Sequence, residues 1–154
     1  MARRALGWTV YALAALALGL SWALVGWHAQ GVQALEGLRV DWAGMQWEPG
    51  PKAQLTIRLD ITSTSGHPLV VTSVRLVTYL GDAIVGTRPA YPLAVPAGRD
   101  PVRIALPLEL HPEGPATLAG AADRAWLVKG YLDVRLPRSR RLWHREFVVR
   151  ESLP

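Results

Sequence analysis

From Ala5 to Leu35 the chain carries no Asp, Glu, Lys or Arg. All 12 acidic residues and 15 of the 17 basic ones follow that run. The sequence therefore divides into one apolar segment and, from Glu36 to Pro154, a length suited to one ordinary domain with a single core. A multidomain enzyme and a long disordered chain are both excluded.

Arg3 and Arg4 stand before the 23 uncharged residues Ala5–Trp27. As a helix rising about 1.5 Å per residue, this stretch spans a hydrocarbon core of about 30 Å. Trp8 and Tyr11 lie near one end and Trp22 and Trp27 near the other, as interfacial aromatics do, and His28 and Gln30 mark the exit into water. A cleaved signal peptide has a shorter apolar region, about 7–15 residues, closed by a small-x-small site. No Ala-x-Ala follows here at the right place, so the reading is an uncleaved anchor.

The Lys/Arg bias orients it. Arg3 and Arg4 precede the helix, and only Arg39 falls in the 15 residues after Gln30. The expectation is a single-pass protein of the cell membrane, with residues 1–4 cytoplasmic, 5–29 the transmembrane helix and 37–154 an extracytoplasmic domain. Residues 30–36 are a short linker, at most about 25 Å when extended, or a continuation of the helix. Ala15, Gly19 and Ala23 form a small-residue stripe that allows another helix to approach closely, although six alanines in 23 residues also produce such spacing by chance. Nothing ionisable lies within the span to serve an ion pathway.

In the domain the dominant period is two. Leu55, Ile57, Leu59 and Ile61 alternate with Thr56, Arg58, Asp60 and Thr62, the pattern of a half-buried strand. Leu38–Trp42, Val70–Leu80, Val102–Leu110, Val128–Leu136 and Trp143–Arg150 read likewise, and Gly81-Asp82 predicts a two-residue hairpin turn. Pro107 cannot donate to a ladder, which predicts an edge strand or a bulge. Ala116–Leu127 lacks alternation and places Leu118, Ala122 and Ala125 on one side, predicting a short helix. Pro- and Gly-rich turns punctuate the remainder. The expected fold is all-β: about seven strands in an antiparallel β-sandwich with one short helix, preceded by one transmembrane α-helix.

The order of these elements resembles the water-stress and hypersensitive-response (WHy) domain of the late-embryogenesis-abundant group 2 proteins. The likeness runs over Leu38–Arg150. It is carried by Leu55–Thr62 leading into Ser63-Thr-Ser-Gly-His-Pro-Leu-Val-Val71, by Val74–Gly86 with its Tyr79, by Pro96-Ala-Gly98, and by a short helix before Val128-Lys-Gly-Tyr131. Ser63-Thr64-Ser65 occupies the place of that family's Asn-Pro-Asn. The resemblance implies an immunoglobulin- or fibronectin-III-like sandwich and a non-catalytic role in stress or desiccation tolerance.

Chemistry is sparse. Without cysteine there is no disulfide, thiolate or zinc knuckle. His28, His67, His111 and His144 have no metal-ligand spacing, and two methionines argue against copper handling. No Gly-x-Ser-x-Gly elbow or phosphate-cradling glycine loop occurs. Asp60, Glu109, Asp133 and Glu146 fall at solvent-facing strand positions. No enzyme activity, metal, cofactor or small-molecule substrate is expected.

The net charge of +5 is mostly arginine, concentrated in Arg135–Arg150. Arg138, Arg140, Arg141 and Arg145 form a candidate patch for lipid phosphates or an acidic partner, or a solvated hairpin that discourages edge pairing. Trp126 and Trp143 are core residues in this reading, and nucleic acid is not an expected partner. Two functions remain in view: a membrane-anchored protective binding domain, and an accessory single-helix subunit of a larger membrane complex.

Overall fold

The computed structural model describes residues 2–50, 53–65, 68–119, 125–137 and 139–151, with the backbone alone for 2–7 and 9. The chain divides into two units, Met1–Gln33 and Ala34–Pro154. Helix α1 spans Ala2–Glu36, so residues 30–36 are helical. It is long and apolar enough to cross a membrane, and its apolar stretch is not buried within the protein. Trp8 and Trp22 are 78% and 76% exposed. The Ser21 hydroxyl donates to the Ala17 carbonyl at 2.8 Å, which satisfies a polar group within the helix itself.

Seven strands follow: β1 (Leu38–Glu48), β2 (Gln54–Ser63), β3 (Leu69–Leu80), β4 (Ala83–Ala97), β5 (Val102–Leu110), β6 (Trp126–Arg135) and β7 (Trp143–Arg150). Among the described residues they form one antiparallel sheet in the order β1-β2-β5-β4-β3-β6-β7. Leu55, Ile57, Leu59 and Ile61 of β2 are wholly buried, as their alternation predicts. Opposite them lie Ile104, Leu106 and Leu108 of β5. Leu76, Leu80, Val128, Leu132 and Val134 belong to the same core. Trp42 of β1 stacks on Trp126 of β6 with centroids 6.4 Å apart and the rings 25° from parallel.

The turns follow their residues. Leu80 pairs with Ala83 around Gly81, whose φ of 59° is the left-handed value that glycine supplies. A bulge between Trp42 and Gly44, with Gly44 at φ 121°, lets β1 continue to Glu48. Pro107 sits opposite Thr56 on β5. On its other side β5 meets β4 only at Gly86↔Leu110 and Thr87↔Glu109. The proline therefore falls where β5 is effectively an edge, as expected.

The predicted helix over Ala116–Leu127 is corrected. Helix α2 is Gly114–Ala119, while Trp126 and Leu127 open β6 opposite Leu80 and Tyr79. Ala122 lies outside the described residues, and Ala125 is not helical. Burying the Trp126 indole against Trp42 outweighs the helical preference of the alanine-rich run.

Candidate functional site

The outer face of β3, β6 and β7 gathers the domain's polar chemistry, because register aligns three residues at a time. Ser73, Asp133 and His144 make one row, and Arg75, Tyr131 and Glu146 the next. Val77, Lys129 and Val148 make the third. Gly130 is buried beneath this face, between Leu76 and Phe147.

In the first row Asp133 is the hub. The Ser73 hydroxyl donates to Asp133 Oδ2 at 2.5 Å, and His144 Nδ1 donates to Oδ1 at 2.5 Å. The Ser73 hydrogen bond, with help from His144, holds the Asp133 carboxyl below the usual aspartate range against its partial burial. The hydroxyl is held by the carboxylate and not by the imidazole. The two bonds to one carboxylate tie β3, β6 and β7 together as a cross-strand clasp. A depressed folded-state pKa contributes stability above the unfolded value, and this is lost as pH falls through the folded one. The wild-type unfolding midpoint is therefore expected to drop more steeply than that of Asp133→Asn as pH is lowered from about 5 to about 2. Parallel acid profiles for the two proteins would refute the clasp.

In the second row the Tyr131 hydroxyl bonds the Glu146 carboxylate. That bond and the carboxylate's charge push the phenol up, while the Arg75 charge opposes them. In the third, the Lys129 ammonium lies 5.5 Å from the centroid of the Tyr79 ring. A groove of about 310 Å³ runs over the second and third rows, lined by Arg75, Val77, Tyr79, Lys129, Tyr131, Glu146 and Val148 among others.

A second groove of about 280 Å³ lies between the sheet's two end strands, lined by Leu38–Asp41 of β1 and Arg145–Val148 of β7. Its charges are mixed: Arg39 and Arg145 against Asp41 and Glu146. Across β2 and β5, Asp60 is held low by a bidentate Arg103 pair at 2.8 Å.

The sequence-predicted arginines fall in two places. Arg140 and Arg141 are exposed in the β6–β7 connection, and Arg141 stacks 5.5 Å from the Trp143 ring centroid. Ser139 is buried there and pins the connection: its N–H donates to the Leu136 carbonyl and its Oγ accepts from the Arg141 N–H, both at 3.0 Å. Arg145 lies within β7 and lines the β1–β7 groove. Arg138 lies outside the described residues. In α1, Trp22, Trp27, Ala15, Gly19 and Ala23 are exposed, and the Arg3 and Arg4 side chains are outside the described set. The Ser73–Asp133–His144 row was not anticipated from sequence. Its only signal is three polar residues on three separate strands, which no local spacing connects.

No family model matches this sequence, and no curated protein matches it. Solved structures do match this chain, two of them as follows. One is a crystal structure of a protein from Archaeoglobus fulgidus, 9% identical over 76% of this chain and 95% of the other, with a TM-score of 0.42. The other is the solution structure of AT1g01470 from Arabidopsis thaliana, 10% identical over 75% of this chain and 81% of the other, with a TM-score of 0.51. At that identity the Arabidopsis structure shows a shared fold.

Proposed function

We propose that this chain is a single-pass membrane protein that displays a WHy-like β-sandwich outside the cell membrane, where it binds or shields lipid or protein without catalysis. The observation that carries the reading is helix α1, uncharged from Ala5 to Leu35, followed directly by a β-rich domain. Two features support the sandwich: β4 and β5 are joined by only two residue pairs, and Trp42 and Trp126 stack between strands far apart in the sheet order. The fold likeness to the Arabidopsis structure agrees with it. Stress or desiccation tolerance enters through the strand order and the residues that resemble the WHy family.

The chain has no cysteine, so its topology can be read with a single one introduced. Arg99→Cys, at an exposed position between β4 and β5, is expected to react in intact cells with a membrane-impermeant maleimide. Labelling only after lysis would place the domain on the cytoplasmic side and overturn the reading. The accessory-subunit alternative rests on the stripe Ala15, Gly19 and Ala23, which is exposed along α1. A stoichiometric partner eluting with the full chain in mild detergent would favour it, and a lone monomer would favour the solitary anchor.

A further inference from the structure

The groove over β3, β6 and β7 has a composition that the clasp beside it does not explain. Arg75 and Lys129 are diagonal neighbours on adjacent strands, since Arg75 pairs with Tyr131 and Lys129 with Val77. Such positions lie about 7–8 Å apart, within reach of two long side chains. Both residues are exposed, and among the described residues neither forms an ion pair. Glu146, across the row beyond Tyr131, also lines the groove, so one carboxylate shares it with the two cations. Asp133, in the next row, is held by Ser73 and His144. The groove thus presents two cations and a single carboxylate, and the Asp133 carboxylate beside it is already bonded.

Between the cations the surface is apolar. Val77 and Val148 flank Lys129 on either side in the third row, Val148 is 59% exposed, and the Tyr79 ring closes one end. A carboxylate is satisfied by one guanidinium through two parallel bonds, whereas a phosphate has a third oxygen free for the ammonium. The volume, about 310 Å³, is at the lower end of ligand pockets and suits a phosphate with a short carbon body.

We propose that this groove binds a phosphate ester, with its oxygens held by Arg75 and Lys129 and its carbon body lying on Val77 and Val148. The site is separate from the Arg140–Arg141 connection and does not rest on the protective or anchored reading.

The test uses the full chain in uncharged detergent micelles, titrated with butyl phosphate and followed by the amide shifts of Val77, Lys129 and Val148. Binding is expected to be about tenfold tighter than for inorganic phosphate, because the butyl chain covers the valines. It is expected to weaken at least tenfold, on the order of 1.4 kcal/mol, in Arg75→Gln/Lys129→Gln. The exposed pair Arg140→Gln/Arg141→Gln is expected to bind as wild type. A second arm places the chain in zwitterionic nanodiscs with and without phosphatidic acid. If the same amides shift there, and fail to shift in Arg75→Gln/Lys129→Gln, the ester is a lipid headgroup. If only butyl phosphate acts, it is a free metabolite-sized ester. No shift with either probe, or equal weakening by the Arg140/Arg141 pair, overturns the site. An unchanged unfolding midpoint in each variant shows that the loss is one of binding.

Discussion

Gly130→Ala is expected to lower the unfolding free energy by about 3 kcal/mol, the upper end of the usual cost of overpacking a filled site. Gly130 is in the middle of β6, paired with Leu76 on one side and Phe147 on the other. A Cβ there would lie well inside van der Waals contact with the Arg75 carbonyl oxygen and 2.7 Å from Phe147 Cζ. The ring could shift, but the carbonyl belongs to the β3 backbone and is held by the sheet. A strand interior normally disfavours glycine, so its presence here marks a close approach of backbone and ring. Gly98→Ala is the control, because nothing lies within 4 Å of a Cβ at that position. Denaturant unfolding of the full chain in micelles measures both. A Gly130→Ala protein within about 0.5 kcal/mol of wild type would show that β3 and β6 separate easily at this point.

The second large effect concerns α1. Leu16→Arg/Leu20→Arg is expected to release the chain from the membrane fraction. Each arginine near the middle of a span costs about 2.5–3.5 kcal/mol on the insertion scale, so the pair costs about 6 kcal/mol. Leu16 and Leu20 are 62% and 58% exposed, so the substitutions take nothing from the domain's core. Leu16→Phe/Leu20→Phe keeps the span apolar and is expected to remain. The measurement is extraction of membranes with alkaline carbonate, followed by the chain's distribution between pellet and supernatant. Retention of the double arginine variant would mean that the domain, and not α1, holds the protein to membranes.

Both effects bear on how binding would work. The pairing of β3, β6 and β7 on either side of Gly130 sets Arg75, Lys129 and the valines in register, and a site built on paired strands holds its geometry better than one on a loop. The Arg140–Arg141 connection lies outside the paired strands and, among the described residues, is held through Ser139 and the Arg141–Trp143 contact.

What sequence alone determined was local. The absence of charge from Ala5 to Leu35 sufficed for α1, since length and hydrophobicity are properties of a segment. The period-two run Leu55–Ile61 sufficed for β2 and for which of its faces is buried, because alternation has a single solution on a pleated strand. Gly81-Asp82 sufficed for the β3–β4 turn. What the tertiary structure alone decided was register. Ser73, Asp133 and His144 lie far apart in the chain and meet only through the pairing of β3, β6 and β7, in which a register shift between Val71 and Ser73 sets Ser73 opposite Asp133. Arg75 and Lys129 share a groove for the same reason. Trp126 became a strand residue, against the local pattern, because Trp42 offered its indole a stacking partner on another part of the sheet. Local periodicity selects which face of each strand is buried. Which residues become neighbours depends on pairing between strands distant in sequence, whose energy no short window of sequence contains.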